Sequence, residues 1–168
     1  QCQRLELLLR QEAPQWRLFP VVQALQALRG VQFIVAVGVI AEIGDLTRFD
    51  NPRKLMDWIG LVPSESSTGQ RIRKGGITKA GNGLVRKLLV EAAWSYRYTA
   101  KVSPIIQRRH EGLPAEIIDR AWQAQLRLCR RFRRLQAKGK HRNTVVTAIA
   151  RELVGFVWDI ARRTQLAA

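Results

Sequence analysis

The sequence predicts a mainly α fold: a compact helical domain with a helix-hairpin-helix-like front, a Gly/Ser-rich basic loop insertion and basic C-terminal helices. Three observations predict it. Apolar residues recur at helical spacing over most of the 168-residue chain. Six glycines and a run of hydroxyl residues crowd into one interior stretch, 60–83, where that spacing is lost. Positive charge gathers in the second half of the chain.

Leu5, Leu7, Leu8 and Leu9 read as the tail of a helix, and Pro14 stops it. A second helix is expected from Pro20 to Leu28, with Val21, Val22, Leu25 and Leu28 at helical spacing, and Gly30 ends it. Phe33 to Ile43 is an almost wholly apolar helix closed by Gly44 and Asp45. Two helices joined at Gly30 suggest a helix-hairpin-helix, in which N–H groups at the turn and a helix N-terminus grip a phosphate without reading bases. Gly30-Val31-Gln32 lacks the usual second glycine, and a plain helical corner fits the same residues. Asn51-Pro52 starts a short helix through Asp57, Trp58 and Ile59. In 60–83 a hairpin or extended loop is expected, with a short strand around Gln70–Arg73.

From Leu84 to Trp94 a helix returns with one apolar and one basic face, the basic one carrying Arg86 and Lys87. Lys101 to Pro104 is a break. Pro114 to Leu135 is strongly helical, with Arg120, Arg127, Arg130, Arg131, Arg133 and Arg134. Gly139 separates it from a last helix, Asn143 to Arg163, whose Val145, Val146, Ile149, Leu153, Phe156, Val157 and Ile160 define a core face.

The formal net charge is +16, from 29 Lys+Arg against 13 Asp+Glu. Residues 1–60 carry seven basic and six acidic side chains, whereas 61–168 carry 22 and seven. A surface of this kind seeks polyanions: DNA, RNA or an anionic membrane. The membrane reading is weak, because the basic helices lack a broad aromatic-rich face. The longest nearly uncharged apolar run, Val31 to Ala41, is far short of the roughly 20 residues a bilayer helix needs.

Two cysteines, Cys2 and Cys129, make neither a disulfide framework nor a zinc set. His110 and His141 stand alone among basic residues, so no metal site is expected. Gly75-Gly76 and Gly81-x-Gly83 lack the Gly-Lys-Ser/Thr ending of a phosphate-binding loop. Seven scattered acids in 61–168 do not suggest the converging carboxylates of a two-metal nuclease.

What remains is hydroxyl chemistry in a basic setting. A serine or threonine can attack a phosphodiester and hold the DNA covalently for religation. The step needs an accessible hydroxyl and cations that neutralise the developing charge. Ser66-Ser67-Thr68-Gly69, followed by Arg71, Arg73, Lys74 and Lys79, supplies both, although Ser, Thr and Gly are also what any turn uses. A sequence-tolerant DNA- or RNA-binding module without chemistry is the alternative reading.

Ordered blocks then narrow the field. Leu28-Arg29-Gly30-Val31 is followed by Val35-Ala36-Val37, Glu42-Ile43-Gly44-Asp45-Leu46 and Arg48-Phe49. Gly60-Leu61-Val62-Pro63-Ser64-Glu65, Ser67-Thr68-Gly69, Gly76-Ile77-Thr78-Lys79-Ala80-Gly81-Asn82 and Leu88-Leu89-Val90-Glu91-Ala92-Ala93-Trp94 continue the series. With these blocks the chain resembles, from about Val22 to Arg162, the C-terminal domain of bacterial insertion-sequence transposases of the one-ten family, which includes the Piv-type invertases. The resemblance implies a DNA transposase-recombinase, a homo-oligomer at full length; with no signal-type layout at the start of the sequence, a bacterial cytoplasm is the expected compartment. An N-terminal RuvC-like domain with a metal-binding Asp/Glu (DEDD) set would hold magnesium, outside this chain. A coiled coil would end near residue 18, the transposase domain would occupy 19–163, and 164–168 would be a tail.

DNA is the implied partner, and a bridge RNA is a further one in some members. The family's serine directly precedes the loop glycine. Here that position is Thr68, with Ser67 just before it, so either hydroxyl is a candidate nucleophile. By the same resemblance Glu65 orients the loop. Arg71, Arg73, Lys74 and Lys79 are the expected phosphate binders, with Arg86 and Lys87 on the basic helix face and Gly30 at the helix-hairpin-helix-like corner as further nucleic-acid contacts. The missing initial Met suggests a fragment of something longer, and because the resemblance puts the metal half outside this chain, the chain alone is expected to be inactive.

Overall fold

A computed structural model describes residues 2–68 and 71–167, with the backbone alone for 2, 66–68 and 71–74. The fold is mainly α with one two-stranded sheet. Its helices are α1 (Cys2–Glu12), α2 (Phe19–Leu25), α3 (Phe33–Ile43), α4 (Pro52–Ile59), α5 (Gly83–Ala93), α6 (Pro104–His110), α7 (Ala115–Ala137) and α8 (Arg142–Ala167). Strands β1 (Pro63–Thr68) and β2 (Arg71–Ile77) lie between α4 and α5. Short 3-10 turns cover Ala13–Gln15, Leu46–Arg48 and Trp94–Arg97.

The last helix is the axis of the domain. Val145, Val146, Ile149, Leu153, Val157 and Ile160 follow helical spacing and are buried. Around α8 pack α7, α5, α2 and α4, and α3 closes the core against α2 and α5. Burying side chains such as Leu25, Leu28, Leu61, Leu89 and Leu128 contributes roughly 1.5–3 kcal/mol each before entropy is set against it. Phe156, expected in that core face, is only half-buried and instead faces a groove between α7 and α8.

Local chemistry sets the boundaries. Pro14 forces α1 into a 3-10 turn. The Asn51 side chain accepts from the Arg53 and Lys54 N–H groups, with Pro52 at the first helical position. At the α2–α3 corner Gly30 has φ +82, and a Cβ there would sit 2.3 Å from the Ala92 carbonyl oxygen and 2.5 Å from Ser95 Oγ. Both freedoms of glycine are used: the positive φ, and the close approach to the end of α5.

The break at Lys101–Pro104 is followed by a helix the periodicity did not predict. Ser103 caps α6 by accepting from Ile106 N–H, and Pro104 opens it. Only Ile106 of its seven residues is buried, so no apolar stripe marks the helix in sequence.

Several cations serve the fold rather than the surface. Arg29 donates to the Thr99 carbonyl at 2.8 Å and reaches Gln125 Oε1 at 3.4 Å. The buried Gln125 oxygen also accepts from Lys101 N–H at 2.6 Å. Arg109 donates to the Val31 carbonyl at 3.0 Å. Burial pushes the Cys129 thiol up, away from a reactive thiolate. His110 lies 3.3 Å from the Ala27 carbonyl, and the exposed His141 accepts from Asn143 N–H.

Candidate active site

The hydroxyl-rich stretch is a β-hairpin whose base is fixed to two helix ends. The first end is the C-terminus of α4. Gly60, at φ +77, donates to Asp57 O at 2.9 Å, and Leu61 N–H donates to Met56 O at 3.0 Å. This is a Schellman ending, with buried Leu61 as its apolar contact. The carbonyls of Trp58, Ile59 and Gly60 left open at this end are taken by the returning chain. Asn82 N–H donates to Trp58 O at 3.2 Å, and Lys79 N–H donates to Gly60 O at 3.2 Å. Arg86 Nη1 donates to Ile59 O at 2.8 Å.

The second end is the N-terminus of α5. Asn82 caps it by accepting from Val85 N–H at 2.9 Å, and its Nδ2 donates to Glu42 Oε2 at 2.6 Å. Gly81 is wedged against α4, where an added Cβ would lie 2.0 Å from Trp58 O.

From this base the strands run antiparallel. Pro63 pairs with Ile77, and Thr78 N–H donates to Val62 O at 2.9 Å. Ser64 stands opposite Gly75 and Gly76 in a β-bulge, and its hydroxyl donates to Gly76 O at 3.0 Å. Beyond the bulge the register is Glu65 with Lys74, Ser66 with Arg73, Ser67 with Ile72 and Thr68 with Arg71. Ser64, Glu65, Gly75 and Gly76 are exposed, while Ile77 packs on the core.

The sequence-predicted site residues therefore fall as follows. Ser67 and Thr68 are the last two residues of β1, and Arg71, Arg73 and Lys74 lie on β2; their side chains are outside the described residues. Gly69 and Gln70, where part of the expected short strand falls, are also outside them. Lys79 is exposed at the hairpin base, in the left-handed region at φ +55. Lys87 is exposed on α5, whereas Arg86 is half-buried and spends a donor on Ile59. Gly30 is not gathered with them: it touches the last turn of α5, and Arg86 leaves from the first.

Among the described residues, no three His, Cys, Asp or Glu side chains come together as a metal ion would require. The magnesium implied by the resemblance has no fitting set among them. No helix is long and apolar enough to cross a membrane.

The family model described as "Transposase IS116/IS110/IS902 family" matches residues 22–111, a span that begins within α2 and takes in α3 to α6 and the whole hairpin. The chain belongs to this transposase family. A putative transposase, y4qE, of Sinorhizobium fredii is 49% identical over 160 residues, covering 95% of this chain and 41% of that protein. The transposase for insertion sequence element IS1533 of Leptospira borgpetersenii is 30% identical over 125 residues, 71% of this chain and 35% of its own length. The transposase for insertion sequence element IS1111A of Coxiella burnetii is 39% identical over 71 residues, 42% of this chain and 20% of its own. The chain thus spans well under half the length of these relatives.

Two parts of this transposase-family site escaped sequence reasoning. Arg86 read as one more cation of a basic helix face, although a donor was needed to satisfy a helix end. Asn82 directly before Gly83 and the apolar Leu84-Val85 was a readable N-cap. Asn82→Ala removes the cap and the bond to Glu42, and should destabilise the domain by about 1–2 kcal/mol in urea unfolding. An unchanged midpoint would contradict the clamp.

Proposed function

We propose that this chain is the nucleophile-bearing part of a DNA transposase-recombinase that cuts and rejoins strands through a covalent hydroxyl–phosphate link, in the bacterial cytoplasm. The observation that carries it is the anchored hairpin. Two candidate hydroxyl residues end β1, basic residues follow on β2, and the described part of the arm is exposed above a braced base. A fixed base with an outward arm suits a nucleophile that must meet a bulky polymer, because positioning is set by the fold while access stays open.

In the proposed step the Ser67 or Thr68 hydroxyl oxygen attacks phosphorus. One O–P bond forms, the bond from phosphorus to a sugar oxygen breaks, and the hydroxyl proton balances the sugar hydroxyl released. The reverse reaction with another strand end restores the phosphodiester. Lys79 and the β2 cations offset the negative charge that builds on the non-bridging oxygens. Four leucines of α1 are 42–62% exposed, which fits a helix that continues into a coiled coil and an oligomer.

The reading includes a division of labour with a metal-bearing RuvC-like domain, for which a relative only 41% covered by this chain leaves room. The 168-residue chain alone, with duplex DNA and magnesium, should give no nicks and no adduct. Supplying the RuvC-like domain, in cis or as a second chain, should give a protein–DNA adduct resistant to denaturation. Cleavage by the chain alone, or recombination without any adduct, would overturn the reading.

A further inference from the structure

The α7–α8 pair forms a second basic feature that the hairpin chemistry does not use. A groove of about 760 Å³ runs between the two helices, lined by Arg120, Arg127, Arg130, Arg131 and Arg134. Their spacings of seven, three, one and three residues place them along one stripe of α7. At 1.5 Å per residue the stripe is roughly 21 Å long.

The only carboxylate among the groove's lining residues is Glu152. It lies 2.8 Å from Arg127 Nε and 2.5 Å from Arg131 Nε. Asp159 lies 2.6 Å from Arg120 Nε and 3.0 Å from Arg163 Nε. These shared carboxylates pair with three of the row's five guanidinium groups, and with Arg163, without neutralising the row. Arg130 and Arg134 are exposed and form no ion pair among the described residues. Phe156 lines the floor, with the Arg120 guanidinium 5.7 Å from its ring centre.

Five like charges on one helix stripe repel one another and cost stability. A long, narrow row of this kind is complementary to a linear polyanion. The helix carries arginine and no lysine, and the planar fork of arginine matches phosphate oxygens in pairs. We propose that the α7–α8 groove is a separate nucleic-acid site that takes a phosphodiester backbone lengthwise, with Arg130 and Arg134 as its direct phosphate contacts. The inference is independent of the hairpin nucleophile, since α7 packs on α8 and the 94–97 turn while the hairpin springs from α4 and α5.

The test measures binding of the 168-residue chain to a 20-base-pair DNA duplex, an RNA duplex of the same sequence, and polyglutamate, across a salt series. Arg130→Gln with Arg134→Gln should make the log–log salt slope shallower by about 2 and weaken duplex binding roughly 60-fold at 0.1 M salt. The duplex losing more affinity identifies which nucleic acid the groove prefers. Arg4→Gln with Arg53→Gln, the same charge change on exposed parts of α1 and α4, should weaken binding less than about threefold. Arg130→Lys with Arg134→Lys should restore the slope, and thermal unfolding of each pair should match the parent chain. An unchanged slope, an equal loss in the Arg4/Arg53 control, failure of the lysine pair to restore the slope, or a loss confined to polyglutamate would each overturn the proposal. None of these outcomes bears on adduct formation by Ser67 or Thr68.

Discussion

Gly81→Ala should destabilise the domain by about 3 kcal/mol, a drop in Tm of roughly 6–12 °C for a chain of this size. The added methyl would lie 2.0 Å from Trp58 O and 2.6 Å from Ile59 C, and both are backbone atoms that cannot rotate away. The room that Gly60 leaves is already filled, since a Cβ there would sit 2.9 Å from both Ala80 N and Gly81 N. Relief requires residues 79–82 to lift off α4. That breaks the bonds from Lys79 N–H to Gly60 O and from Asn82 N–H to Trp58 O, and leaves helix-end carbonyls unpaired. Gly76→Ala is the internal control. It is exposed, with nothing within 4 Å of an added Cβ, and its effect should stay within about 0.5 kcal/mol. Equal effects at the two positions would show that the base is not clamped as described.

Removing both candidate hydroxyls should be the most damaging change to activity. Ser67→Ala with Thr68→Ala, in protein supplied with its metal domain, should lower strand joining at least about 1,000-fold, because loss of a nucleophile removes the covalent route altogether. The single variants separate the two candidates. One should behave like the double variant and the other should keep most of its rate. Neither change should alter the unfolding free energy by more than about 0.5 kcal/mol, since the neighbouring hairpin residues Ser64, Glu65, Gly75 and Gly76 are exposed. Normal joining by the double variant would remove the hairpin from the chemistry while leaving the groove untouched.

Much of this arrangement could be read from the residues, for identifiable reasons. Asn51-Pro52 opened α4, Gly30 and Gly139 marked turns in the left-handed region, and the apolar spacing of α8 named its buried face. Glycines with hydroxyl residues marked the hairpin, because few other residues lose both helical period and bulk at once. The observed ends drifted where no stop signal existed: α8 continues from Arg163 to Ala167.

What sequence could not supply was pairing between distant elements. Arg29, Arg86 and Arg109 counted as surface charge, yet each donates to a backbone carbonyl that only the folded chain brings near. The groove was illegible for the same reason. Its arginines were visible on α7, but Glu152 and Phe156 come from a helix some twenty residues later, and only packing shows which cations they share.

The most direct measurement maps the covalent attachment. Protein supplied with its metal domain is trapped on DNA, digested with trypsin, and searched for the peptide carrying a nucleotide. The proposed function requires the nucleotide on the peptide of residues 55–71, at Ser67 or Thr68. A nucleotide on any other peptide, or joined products with no modified peptide at all, would contradict it.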